Sequence, residues 1–368
     1  MTTDDILAQL RAEFADTLSD DDRAAVIEAA IATLDHYVFP EVAARLQTGL
    51  RDRLAAGSYD DITAPAQLAE RLTVELQQES GDRQLRLHHS PHPLPDLDPD
   101  ARLSAAALAE ERHHSSLRNF DLNTVERLQG NIGYLQLYGF EPPEFAGDTL
   151  AAALQFLAHT QALIIDLRRN RGGSPAMVAL LCSYLLPAYP LVHLNDLYWR
   201  PDDSTRQWWT VPHVPAPRYL DRPVYLLTSQ DTFSAAEEFA YNLRVLNRVK
   251  VIGEHTAGGA HPGRGYRLSD HFWLFVPTGR AINPTTGTNW TETGVIPDVK
   301  VPSELALLTA HLMALNALLE TQPDGAHFRE LQHTLIQVER ALNAKRAELI
   351  SQLKPTLPSP PDAAIVEE

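Results

Sequence analysis

One cysteine in 368 residues excludes an internal disulfide, and Cys182 lies inside the apolar run MVALLCSYLL, where it reads as a buried structural thiol. Positive charge is scarce too. Lys and Arg number 31 against 48 Asp and Glu, and a formal net charge of −17 argues against nucleic acid or an anionic membrane as the main partner. No apolar stretch approaches the roughly 20 residues that span a bilayer. The opening MTTDDILAQLRAEF lacks the charged-then-apolar order of a secretory signal, so a cytoplasmic protein is expected, with a secreted mature form left open. Metal-ligand spacings are missing as well: His113 and His114 are adjacent and do not share a helix face, so no cofactor or metal is expected.

What the chain does have is 44% hydrophobic residues, enough for a sizeable core, and a length that exceeds a single core. Residues 1–90 are expected to form an N-terminal helical domain. DDRAAVIEAAIATLDHYV, PEVAARLQTGLRDRLAAG and APAQLAERLTVELQQESG each begin near Asp or Pro and end near Gly or Pro. Residues 91–119, polar and Pro-rich before ARLSAAALAEERHH, read as a linker and short helix. In residues 120–302 strand-like and helical runs alternate: NIGYLQLYGF, DTLAAALQFLAHT, ALIIDLR, PAMVALLCSYLL, PVYLLTS, SAAEEFAYNLRVL and VKVIGE. That alternation predicts an α/β core with a mainly parallel sheet. Residues 303–353 are expected as C-terminal helices, with Leu331, Leu335, Val338 and Leu342 at helical spacing for packing on the domain or for a homodimer contact. The Pro-rich acidic stretch 354–368 reads as a disordered tail.

Function in open α/β sheets gathers beyond the carboxyl ends of strands, which selects three loops. RNRGGSP follows ALIIDLR, and Gly172 and Gly173 let its backbone turn sharply and expose N–H groups, as an oxyanion site or a plain turn requires. TSQDTF delivers Ser234 to a helix start. Ser234-Ala235-Ala236-Glu237 fits a capping box, yet the same place suits a nucleophile beside free N–H groups. HTAGGAHPGRGY carries His255 and His261 among glycines. Asp166, at a strand end, reads as a loop cap or a partner of Arg168, and Tyr198, Trp199, Trp208 and Trp209 as pocket lining or packing anchors.

The ordered set IGYLQLYGF, LIIDLRRNRGGSP, VYLLTSQDTFSAAEEFA, VIGEHTAGGAHPG and ETGVIPDV resembles the tail-specific and C-terminal processing serine peptidases. It is most similar to the branch containing the repeats of interphotoreceptor retinoid-binding protein, and lacks a stretch for a PDZ domain. The resemblance implies a ClpP/crotonase-like core and an acyl-enzyme on Ser234, with the Ser234 N–H and that of Gly172 or Gly173 as oxyanion hole. The substrate implied is an unstructured peptide or protein tail; the alternative is a binding module for an apolar ligand such as a lipid or retinoid. The chain departs from the pattern at the base. Gly259 stands where processing peptidases carry lysine, and Gln84, in GDRQ, where the tricorn-like branch carries histidine. His261 and His88 are the candidate substitutes, with no intact base as the third possibility. Glu292 matches an acidic position that supports the site in the tricorn-like branch.

Overall fold

The computed structural model describes residues 17–95, 104–321 and 324–353. Residues 1–16, 96–103 and 354–368 lie outside the described residues, so the expected start of the helical domain, part of the expected linker and short helix, and the expected tail are not described. Helices α1 (Asp20–Thr33), α2 (Pro40–Ala55) and α3 (Pro65–Ser80) follow the sequence punctuation. Ser19 caps α1 by accepting from Asp22 N at 3.1 Å, prolines open α2 and α3, and Gly81 closes α3 at φ +74°. Strand β1 (Arg86–His89) follows, and then helix α4 (Ala105–Leu117).

The central sheet has six strands: β2 (Leu122–Leu128), β3 (Ile132–Leu137), β4 (Ala162–Asp166), β7 (Val224–Thr228), β8 (Lys250–Gly253) and β12 (Val299–Lys300). Their order is β12-β8-β7-β4-β3-β2, parallel except for the β2–β3 pair. Every residue of β4 and β7 is buried, as expected for parallel strands covered on both faces. Because β3, β4, β7 and β8 advance in one direction, right-handed crossovers put α5 (Pro143–Leu157), α6 (Pro175–Leu185) and α7 (Ala235–Val245) on one face. The other face is covered by α8 (Ser303–Thr321) and α9 (Gly325–Leu353), with Leu331 and Val338 buried against Tyr134, Ile164 and Ile252. The expected α/β core with helices before and after it is the observed fold. Among the described residues no helix is long and apolar enough to cross a membrane.

Two further sheets were not foreseen. β5 (His193–Trp199) and β6 (Ser204–Trp209) form a hairpin from the Trp-rich segment, and β11 (Gly279–Ile282) pairs with β5. β10 (Phe272–Pro277) lies between β1 and β9 (Gly263–Arg267), all antiparallel. β1 thus makes a strand of the RLHH segment, at the end of the stretch 1–90 expected as a helical domain. Its four residues have no clear alternation, and pairing of Arg86–His89 with Phe272–Phe275, far along the chain, defines the strand. Phe272, Leu274 and Val276 of β10 share one apolar cluster with α1, α2 and α3.

Candidate active site

The loops after β4, β7 and β8 are tied together by their polar side chains and backbones. Ser229 Oγ donates to Arg168 O at 2.6 Å and Thr232 Oγ1 to Leu167 O at 2.9 Å. Phe233 N donates to Asn170 O, and Ala257 N to Thr232 O. Asp166 is buried and paired with Arg168 at 2.6 Å, which, with Tyr134 donating to it, holds its pKa below the usual carboxylate range despite burial. Its role is to anchor the first loop.

Ser234 occupies the N-terminus of α7 at φ +56° and ψ −124°. The capping serines of the other helices behave differently: Ser19 and Ser104 sit in extended backbone at φ −70° and −64°, with side chains accepting from the first turn. A serine at positive φ stores about 1–3 kcal/mol of strain, held here by the surrounding bonds. Ser234 N donates to Glu237 Oε2 at 2.9 Å, the carboxylate half of the capping box. The buried Glu237 also accepts from Thr256 Oγ1 at 2.5 Å, Gly258 N at 2.7 Å and Gly259 N at 2.8 Å. Burial pushes its pKa up, while these donors oppose the shift.

Gly172, at φ +100°, packs directly on the serine: a Cβ there would lie 2.8 Å from both Ser234 Cβ and Ala235 N. Two of the three expected donors are engaged within the fold. The N–H of Ser234 is committed to Glu237, and that of Gly172 to Asn170 Oδ1 at 2.9 Å. Among the described residues, the N–H groups of Gly173 and Ala235 have no acceptor within the fold. Gly173 is exposed and lies beside Phe140 in a parallel bridge.

His261 is buried, and its Nδ1 lies 2.8 Å from Asp82 Oδ2. Asp82 is buried too and accepts from Tyr37 OH at 3.1 Å, which together with burial raises the tyrosine pKa. His261 Nε2 lies 3.2 Å from Thr291 Oγ1, and its backbone N–H donates to Gln84 Oε1 at 3.0 Å. The sequence does not single out Asp82; the signal is the Gly81-Asp82 pair at a helix end, two residues before Gln84. Among the described residues, no hydrogen bond joins Ser234 to His261, His88 or Glu292.

A cavity of about 1000 Å³ opens beside these loops, with Phe233, Gly259, Gln84, His88, Trp273 and Glu292 among its lining residues. His88 stacks on Trp273 with ring centroids 4.0 Å apart; burial, and next Arg86, lower its pKa. Glu292 is exposed, its Oε1 3.2 Å from the position a Cβ on Gly81 would take. His255 lines the cavity too, whereas Tyr198, Trp199, Trp208 and Trp209 do not. Trp199 and Trp208 pack against the central core, and Trp209 stacks on His193. Cys182 is buried, with its pKa raised by burial and then by Glu238. Among the described residues no cluster of three His, Cys, Asp or Glu is arranged to hold a metal ion.

Residues 131–301 match the model of peptidase family S41, and residues 12–117 match the N-terminal domain of Peptidase_S41 in eukaryotic IRBP. Among solved structures, a candidate peptidase of Parabacteroides merdae is similar at 19% identity over 76% of this chain and 90% of that one, with a TM-score of 0.54. A candidate S41 protease of Bacteroides fragilis is 25% identical over 50% of this chain and 51% of its own, with a TM-score of 0.44. The chain therefore matches about half the length of that protein. The photosystem II D1 C-terminal processing protease is 16% identical over 77% of this chain and 94% of its own, with a TM-score of 0.48.

Proposed function

We propose, since this chain belongs to peptidase family S41, that it hydrolyses peptide bonds in unstructured peptides or protein tails through an acyl-enzyme on Ser234. The observation that carries the reading is the strained seat of Ser234, at φ +56° on a helix start, packed against Gly172. Ser234 Oγ attacks the peptide carbonyl carbon while its proton passes to a base. The N–H groups of Gly173 and Ala235 receive the oxyanion, the amine leaves with the returned proton, and water then releases the acid.

His261 is the base in this reading. Asp82 accepts the Nδ1 proton, so the lone pair is on Nε2, on the side of Thr291. In this reading Nε2, which lies 3.2 Å from Thr291 Oγ1, takes the proton that leaves Ser234. His88, its pKa lowered by burial and next by Arg86, and Glu292 serve the substrate side of the cavity. The alternative of a module for lipid or retinoid draws on Phe233, Trp273 and Phe275 in the cavity wall, but five charged side chains share that wall and disfavour an apolar occupant.

A fluorophosphonate probe tests the reading. Labelling of the folded protein that is lost in Ser234→Ala supports the nucleophile; a folded protein that neither labels nor cleaves an unstructured peptide sinks it. Retinoid or lipid retained through purification in stoichiometric amount would favour the alternative.

A further inference from the structure

Between α4 and β2 the backbone does something it does nowhere else among the described residues: three consecutive non-glycine residues, Asn119, Phe120 and Asp121, stand at positive φ, +51°, +54° and +59°. Asn and Asp visit the left-handed region as single residues, but a bulky aromatic there is an outlier that its surroundings must hold. Phe120 packs its half-buried ring against the central apolar cluster. Polar bonds close the turn around it. Asp121 N donates to Arg118 O at 3.1 Å, Asn119 Nδ2 donates to Leu122 O at 2.9 Å, and Arg118 spans Asp121 at 3.1 Å and Glu141 at 3.0 Å. Costly backbone of this kind gathers where it fixes functional geometry.

The turn touches residues 138–140, which in turn hold the loop after β4. Tyr138 N donates to Asp121 O at 2.9 Å, and a Cβ on Gly139 would meet Asp121 Oδ2 at 2.7 Å. On the loop side, the Tyr138 hydroxyl accepts from Arg169 Nη1 at 2.9 Å, and the Tyr138 ring lies 4.4 Å from the Arg169 guanidinium carbon. Phe140 N donates to Gly172 O at 2.8 Å, and Phe140 O accepts from Ser174 N at 2.6 Å. Gly173 is the residue between those two bonds, so close to Phe140 O that a Cβ has no room. Its N–H is one of the two left without an acceptor beside Ser234.

We propose that the left-handed turn Asn119–Asp121 positions the oxyanion loop, with Phe120 as its anchor in the core and Asp121 as its contact to residues 138–140. The inference rests on the reading of Gly173 N–H as a donor to the oxyanion of Ser234. Phe120 and Asp121 are positioning residues: they act through Tyr138 and Phe140 on the loop backbone. A small displacement of a preorganised donor weakens transition-state stabilisation far more than it weakens substrate binding.

The test compares folded variants by their rate of labelling with a fluorophosphonate, whose phosphoryl oxygen takes the place of the oxyanion. Phe120→Gly removes the anchor while its backbone accepts the left-handed turn, and Asp121→Ala removes the contact to Arg118 and Gly139. Both are expected to label about tenfold or more slowly than wild type, short of the roughly 10²–10³-fold lost when an oxyanion donor is removed outright. On an unstructured peptide kcat should fall in parallel and KM should hold. Asp121→Asn, which tolerates the left-handed region and keeps an acceptor, should stay near wild type. Near-UV circular dichroism identifies the folded variants, and Asp121→Ala carries the test should Phe120→Gly fail to fold. A turn that serves stability alone would lower the urea midpoint and leave the labelling rate of the folded protein unchanged, a result that overturns the proposal. So does a loss expressed in KM alone. Wild-type protein that does not label sinks the peptidase reading and this inference with it, whereas a labelled wild type with equally labelled variants sinks this inference by itself.

Discussion

At the scale of single residues, Asp82 shows how a side chain acts through another. Its carboxylate fixes one nitrogen of His261, and Tyr37 and the Gln84 N–H hold the carboxylate in turn. Asp82→Asn keeps the shape but can present an amide N–H to Nδ1, which reverses the tautomer. Turnover of an unstructured peptide should fall roughly 10²–10⁴-fold with little change in KM, matching His261→Gln, since loss of a general base costs that much. Equal turnover in Asp82→Asn and wild type would remove the pair from the mechanism. Glu238, one turn beyond Ser234, is a different case. Burial lifts its pKa from 4.5 to about 8, so the folded protein keeps a proton that the unfolded chain loses. The stability this contributes is complete below about pH 4.5 and is lost as pH rises toward 8, a change on the order of a few kcal/mol. Urea midpoints across that window should decline in the wild type and flatten in Glu238→Gln.

At the scale of elements, Glu237 joins the start of α7 to the loop after β8. Four donors on two segments meet one buried carboxylate, so the position of Ser234 and the course of the glycine loop are set together. Glu237→Ala orphans these donors and should lower unfolding free energy by roughly 3 kcal/mol or more, since each unsatisfied buried group costs about 1–3 kcal/mol. Glu237→Gln retains one acceptor oxygen and should fall between, in denaturant titrations followed by circular dichroism. The capping-box pattern of Ser234 and Glu237 was legible as sequence. That the carboxylate also binds Thr256, Gly258 and Gly259 was not, because those contacts span 19 to 22 positions and depend on how two loops converge. The same holds for β1, whose strand state comes from β10.

At the scale of the whole molecule, the N-terminal helices and the core share surface that neither covers alone. Phe272, Leu274 and Val276 are at most 2% exposed because Ile27, Leu34, Leu72 and their neighbours pack on them. Full burial of such side chains contributes about 1.5–3 kcal/mol each. A fragment of residues 120–353 should therefore expose this face, bind a hydrophobic dye and self-associate in size-exclusion chromatography, unlike the full chain. A monomeric fragment that excludes the dye would contradict a shared core.

The sequence by itself determined the α/β class, the parallel strands and the three loops, because these follow from local hydrophobic periodicity, turn residues and the rule that places function beyond strand ends. It also marked Ser234, Gly172 and Gly173, whose types suit the chemistry. Only the tertiary structure decided which N–H groups stay free, that His261 meets Asp82, and that residues 138–140 join the turn 119–121 to the loop after β4. Each depends on residues far apart in the chain, and hydrogen bonds and charge pairs act over a few ångströms of space, whatever the number of residues between them.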